Sequence, residues 1–239
     1  MSSKIELTKE NINKYLIELS KEFRKLNGRK TPAEIILIGG ASILINYGFR
    51  ESTQDIDAII SASSAMKEAI NNVGDRLGLP TGWLNADFVQ TASYSPKLIQ
   101  HSKYYRTFSN ILSVRTVSSE YLVAMKLMSG RQYKHDLSDV IGILLEQQRL
   151  GKSITLEQIK SACTELYGDF NKIPLSSQTF INDLYKNNNL EDLFSEINSQ
   201  EKSNRSALIQ FEKDYPSVLN NDNFSEILEA INVKKRSKQ

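Results

Sequence analysis

The sequence predicts a mixed α/β (α+β) core over residues 1 to 150, followed by a mainly helical C-terminal part over residues 151 to 239. Three observations carry that expectation. Short apolar runs rich in isoleucine and valine alternate with amphipathic helical stretches through the first 150 residues. After Gly151 the chain becomes rich in Asn, Ser and Lys and keeps a helical pattern. Hydrophobic content of 40% and charged content of 24% suit a soluble globular chain.

Residues 8 to 27 read as an amphipathic helix. Ile12, Tyr15, Leu16, Leu19, Phe23 and Leu26 fall on one stripe, Thr8 is its N-cap, and Asn27-Gly28 its stop. Pro32 ends a linker, and Glu34 to Ile38 form the first strand. Residues 41 to 48 make a short helix that starts at two glycines. Ile56 to Ile60 form the second strand, and Ser63 to Leu77 a helix ended by Gly78 and Pro80. Trp83 to Gln90 read as a strand or loop, and Ile111 to Thr116 as another short strand. Two helices follow in close order, Ser119 to Ser129 and His135 to Gln148, with Gly130-Arg131-Gln132 between them. Thr155-Leu156-Glu157-Gln158 fits a capping box. Phe224, Ile227, Leu228 and Ile231 make a last amphipathic turn or two before a short basic tail.

The chemistry concentrates where Gly39-Gly40-Ala41-Ser42 closes the apolar run Ile35 to Ile38, and where Asp55-Ile56-Asp57 opens the next strand. On a strand, residues i and i+2 share a face, so Asp55 and Asp57 set two carboxylates side by side while Ile56 and Ala58 face the core. Adjacent like charges are costly unless a cation lies between them. A hard divalent ion such as Mg²⁺ takes oxygen ligands of this kind and keeps positions open for phosphate oxygens. A glycine-closed turn lets backbone N–H groups approach a phosphate. Ser42 either touches that phosphate or caps the short helix.

Glycine turn, short helix and Asp-x-Asp strand together resemble the nucleotidyltransferase superfamily, the group that includes DNA polymerase beta. Later residues sharpen the resemblance: Glu120 to Lys126, then Arg131, then Asp136 and Asp139, are similar to the pattern of AbiE-type toxin nucleotidyltransferases and related bacterial nucleotidyltransferase-like proteins. It covers roughly residues 33 to 148. It implies a nucleotidyltransferase-like mixed sheet flanked by helices. It also implies Asp55 and Asp57 as ligands of Mg²⁺ or Mn²⁺, Lys126 as a contact to nucleotide phosphate, and Asp136 or Asp139 as an active-site carboxylate. Gly39, Gly40 and Ser42 would lie along the phosphates of a nucleoside triphosphate. The superfamily usually adds a third metal carboxylate on a later strand, for which Asp87 is the candidate. The implied reaction moves a nucleoside monophosphate to an acceptor hydroxyl, with RNA or tRNA as acceptor and a cognate antitoxin as partner. Two alternatives stay open: a catalytically silent module of the same fold, and a nucleotidyltransferase acting on a small molecule such as an antibiotic.

The residues alone leave several roles open. Lys126 sits in Tyr121 to Met128, a helix apolar nearly all round, and either snorkels to solvent or serves a site. The stripe Leu137, Val140, Ile141, Leu144 and Leu145 sets Asp139 almost opposite the apolar face, with Asp136 on its flank. Both also suit a helix's first turn on dipole grounds. Lys103, Tyr104, Tyr105 and Arg106 form either a track for single-stranded nucleic acid or an ordinary exposed loop.

Composition excludes some classes. The net charge of +2 neither demands nor argues against nucleic acid. No apolar run approaches the ~20 residues of a membrane span, and Met1 to Glu6 lacks the apolar core of a signal peptide. The single cysteine, Cys163, excludes an internal disulfide and a multi-cysteine metal site, and reads as a small core residue in a cytoplasmic protein.

Overall fold

The computed structural model describes residues 6–28, 31–131, 134–186, 189–220 and 223–236. Helix α1 (Lys9–Asn27) is followed by strand β1 (Ala33–Leu37), helix α2 (Gly39–Asn46), strand β2 (Ile56–Ser61), helix α3 (Ala65–Leu77) and the two-residue strand β3 (Leu84–Asn85). Strands β4 (Ser102–Phe108) and β5 (Leu112–Val117) form a hairpin, after which the chain is helical. The helices are α4 (Ser119–Ser129), α5 (Asp136–Arg149), α6 (Leu156–Tyr167), α7 (Leu175–Leu184), α8 (Leu190–Asp214) and α9 (Phe224–Arg236).

The five strands form one mixed sheet in the order β3-β2-β1-β5-β4. β1 is central, antiparallel to β2 and parallel to β5; β4 lies at one edge and β3 at the other. The period of two along each strand sorts side chains between two apolar layers. Ile35 and Leu37 of β1, with Ile56 and Ala58 of β2, pack under α1 and α3. Ile36 and Ile38 face the opposite layer, built by α4, α5 and α6. Asp57, between Ile56 and Ala58, therefore projects towards the α4–α5 layer.

The expected capping box of Thr155 with Gln158 opens α6, and the expected N-cap Thr8 opens α1 as part of a box with Asn11. The stretch from Lys103 to Arg106 is strand rather than loop. Its alternation is broken by an irregularity between Tyr104 and Arg106, and its position at the sheet edge leaves Tyr104 exposed. Tyr105 donates its hydroxyl to Asn13 at 2.9 Å, so one face of β4 is tied to α1. The helices after residue 150 pack on the core: α6 lies against α4 and α8 against α5. Cys163 is fully buried in that layer, and burial pushes its thiol up to about 12.

Candidate active site

A cavity of about 650 Å³ opens where β1 ends and β2 begins. The sequence motifs converge on it: Gly39, Gly40, Asp55, Asp57, Asp87, Lys126 and Asp136 all line it. Arg50, Arg131, Lys134 and His135 add cations and an imidazole to its wall. The far side comes from the C-terminal helices, through Arg205, Leu208, Ile209 and Glu212 of α8 and Phe224 of α9.

The acidic wall follows from strand geometry. Asp55 immediately precedes β2 and Asp57 is its second residue, so both face the cavity while Ile56 and Ala58 are buried. Burial, and then the charge of Asp55, push the Asp57 carboxyl above its ordinary value. Those two conditions are the ones a divalent cation relieves. The Ile38 N–H donates to the Asp57 carbonyl at 2.9 Å, which brings the glycine turn against this strand. A Cβ on Gly39 would lie 3.8 Å from Asp57 Oδ2. Gly39 has φ of +52°, a conformation that disfavours any side chain, and it starts α2 with no side-chain cap. The first N–H groups of α2 thus open beside the carboxylate pair.

Gly40 is pressed between two side chains of the β1–β2 connection. A Cβ there would meet Thr53 Oγ1 at 2.7 Å and the Arg50 guanidinium at 2.9 Å. That connection is pinned from below, because Leu7 and Thr53 exchange backbone hydrogen bonds at 2.8 and 2.9 Å. Gly40→Val should therefore dislodge Arg50 and weaken nucleotide binding at least tenfold, about 1.4 kcal/mol. Isothermal calorimetry with each Mg²⁺–nucleoside triphosphate checks this, and unchanged binding would make the turn purely structural.

Behind the cavity wall runs a ladder of alternating charge. Arg50 Nη1 lies 2.6 Å from Asp139 Oδ2, and Lys126 Nζ reaches Asp139 at 2.8 Å and Asp136 at 2.7 Å. Arg131 Nε closes the far end on Asp136 at 2.8 Å. Asp136 and Asp139 are both buried, as is Lys126. Burial alone would lower the Lys126 ammonium, but Asp136 and Asp139 hold it above its ordinary value. Burial alone would raise the Asp136 carboxyl, but Lys126 and Arg131 hold it well below the usual carboxylate range. Three cations against two anions leave these five groups one positive charge in excess, next to a cavity that Asp55 and Asp57 also line.

Several expectations change here. Lys126 does not snorkel; its ammonium is buried between two carboxylates. Asp139, expected opposite the apolar stripe as a candidate active-site carboxylate, is buried there against Arg50 and Lys126 and does not line the cavity, whereas Asp136 does. Ser42 lies outside the cavity: it is fully buried and its Oγ accepts the Val117 N–H at 3.3 Å, which ties α2 to β5. It does not cap α2 either. Asp87 lines the cavity but opens a 3₁₀ turn beyond β3, with its N–H on Asn85 Oδ1 at 2.9 Å. The β3 residue in register with Asp57 is Asn85, whose side chain helps keep Asp57 ionised. Among the described residues, no group of three or more His, Cys, Asp or Glu side chains could hold a metal ion, so Asp55 and Asp57 stand as a pair. Lys103, Tyr104, Tyr105 and Arg106 do not line the cavity.

Arg50, Lys134 and the α8 residues were not among the sequence candidates. Lys134 lies only two residues before Asp136, and a cation beside the Asp-x-x-Asp helix was a usable signal. Its ammonium forms no salt bridge among the described residues. Lys134 is exposed, yet partial desolvation among the cavity residues, and then Arg131 nearby, pull it below its ordinary value, while Asp136, Asp55 and Asp57 act in the opposite sense. His135 is likewise held below its ordinary value by burial and then by Arg50.

Glu201, on α8, is 3% exposed and accepts from the Leu137 N–H at 3.0 Å and from the Ser138 hydroxyl. Burial outweighs those bonds and pushes its carboxyl from 4.5 to about 7. Below pH 4.5 the group is protonated folded or unfolded and costs nothing. Between 4.5 and about 7 the unfolded chain releases the proton more readily, so this group's contribution falls as pH rises, then levels. Glu201→Gln should therefore gain in melting temperature relative to the unmodified protein as pH rises through that window. A constant offset in paired thermal melts from pH 4.5 to 8 would contradict it.

Residues 14–174, about two thirds of the chain, match the family described as nucleotidyltransferase of unknown function (DUF6036). The chain belongs to that family, and membership implies a nucleotide substrate. No curated protein and no solved structure matches it. Among the described residues, no helix is long and apolar enough to cross a membrane.

Proposed function

We propose that this protein is a metal-dependent nucleotidyltransferase that moves a nucleoside monophosphate from a nucleoside triphosphate to an acceptor hydroxyl. One observation carries the reading: a close carboxylate pair, an uncapped glycine-started helix and a cationic wall share one cavity. Asp55 and Asp57 would hold Mg²⁺ or Mn²⁺. Such an ion, when bound, lowers the pKa of a hydroxyl and offsets charge developing on phosphate oxygens. The N–H groups of Gly39 and Gly40 suit phosphate oxygens on one side, and Lys134 and Arg131 suit them on the other. The ladder of Arg50, Asp139, Lys126 and Asp136 acts as scaffold, holding Arg131 and the first turn of α5 in place. In the transfer, the acceptor oxygen bonds to the α-phosphorus as the bridge to the β-phosphate breaks. Pyrophosphate leaves and the hydroxyl proton passes to water.

The AbiE-type resemblance of Lys126, Arg131, Asp136 and Asp139 supports RNA or tRNA as acceptor and a toxin–antitoxin or phage-defence setting, with an antitoxin as partner. The test is incubation with each α-labelled nucleoside triphosphate, Mg²⁺ and total RNA. Label transferred to RNA and lost on chelation of the metal is the expected result. Label appearing in no acceptor from whole-cell extract, with nucleotide still bound, would favour the catalytically silent module. The lone carboxylate pair, without a third ligand among the described residues, is the observation on that side.

A further inference from the structure

We propose that Glu201, on the C-terminal helix α8, is a positioning residue of the active site, fixing the first turn of α5 that carries Asp136 and Asp139. The proposal rests on the nucleotidyltransferase reading of the cavity. A helix leaves its first N–H groups without intrahelical partners, and a side chain just ahead of it usually supplies an acceptor. α5 lacks that device: its N-cap residue is His135, whose side chain makes no capping bond. The acceptor comes instead from 64 residues away, as Glu201 takes the Leu137 N–H at 3.0 Å. It also takes the Ser138 hydroxyl, and the His135 ring nitrogen Nδ1 stands 4.0 Å off.

The peptide held this way joins Asp136 to Leu137. Asp136 in turn fixes Lys126 and Arg131, and Lys134 and His135 lie on the approach to the same helix. A carboxylate at the positive end of α5 is electrostatically matched to it. One bond from α8 thus sets where the cationic wall stands relative to Asp55 and Asp57. Glu201 lies beyond the residues 14–174 shared with the family, so this chain completes its site with an element outside the matched region. The same helix adds Arg205 and Leu208 to the cavity.

Glu201→Leu keeps volume and removes the acceptor, whereas Glu201→Gln keeps a carbonyl for the Leu137 N–H. Two measurements are made on the full chain. Amide hydrogen exchange at Leu137 should quicken at least tenfold in Glu201→Leu and stay within threefold of the unmodified protein in Glu201→Gln. Binding of the Mg²⁺ complexes of ATP, GTP, CTP and UTP by calorimetry should weaken at least tenfold in the leucine variant and be rescued by glutamine. Unchanged exchange, or equal binding by both variants and the unmodified protein, overturns the positioning role. If the unmodified protein binds none of the four nucleotides, the nucleotidyltransferase reading fails, and the exchange result alone decides whether Glu201 holds α5. Should Glu201→Leu not fold, Glu201→Asp, which withdraws the carboxylate by one methylene, takes its place with the same expected outcomes.

Discussion

Asp57→Asn should abolish nucleotidyl transfer while leaving the protein at least as stable as before. A metal clamp on transferring phosphate is worth several kcal/mol; about 4 kcal/mol corresponds to roughly a thousandfold in rate. The stability half follows from the same carboxylate. Burial and the neighbouring Asp55 raise Asp57, so its ionised form opposes folding at neutral pH in the absence of metal. The amide keeps the shape and removes the charge. Thermal melts in chelator at pH 7 should therefore place Asp57→Asn at or above the unmodified protein. Adding Mg²⁺ should raise the melting temperature of the unmodified protein only, because a ligand that binds the folded state alone stabilises it by mass action. A variant that melts lower, or that still responds to Mg²⁺, would show that Asp57 belongs to the scaffold rather than to a metal site. Asp55→Asn tests the other half of the pair in the same way.

Lys126→Met is the second large effect, and it falls on stability. Methionine preserves the stem, and for a snorkelling lysine the exchange would cost about 0.5 kcal/mol. Here the ammonium lies 2.7 and 2.8 Å from two buried carboxylates. Removing one partner of a buried pair typically costs 3–5 kcal/mol, because the remaining charge stays desolvated. Asp136 retains Arg131 and Asp139 retains Arg50, so the loss should fall near about 3 kcal/mol, a large share of the 5–15 kcal/mol available to a domain. Urea unfolding measures it directly, and a midpoint matching the unmodified protein would dissolve the ladder as a structural unit. Pairing Lys126→Met with Asp136→Asn should recover part of the loss, since one of the two stranded charges is gone.

The features that the sequence made legible are the local ones. The period of two in Asp55-Ile56-Asp57-Ala58 predicts which carboxylates face out, and Ile56 and Ala58 are fully buried as that period demands. Gly39-Gly40 marks the turn because Gly39 takes a positive φ and a Cβ on Gly40 would collide with Thr53 and Arg50. The bounds of α4, the Thr8 cap and the Thr155 capping box follow from patterns within a few residues. What escaped depends on distant partners. The strand from Ser102 to Phe108 hides because its alternation breaks at Tyr104–Arg106 and an edge needs polar side chains. Helical phase sets Asp139 opposite the apolar stripe but does not show that Arg50, 89 residues away, waits on that side. Ser42 looked like a phosphate contact by adjacency, yet its hydroxyl is used by the backbone of β5. The role of Glu201 has no local signature at all.

The wall that α8 and α9 add to the cavity also has a consequence in time. Translation delivers the carboxylate pair, the glycine turn and the charge ladder by residue 139, but Arg205 and Phe224 only later. At 5–20 residues per second that lag lasts from about 4 to about 17 seconds. For that interval each chain under synthesis has Asp55, Asp57 and the glycine turn but not yet the residues of α8 and α9 that line the far side of the cavity.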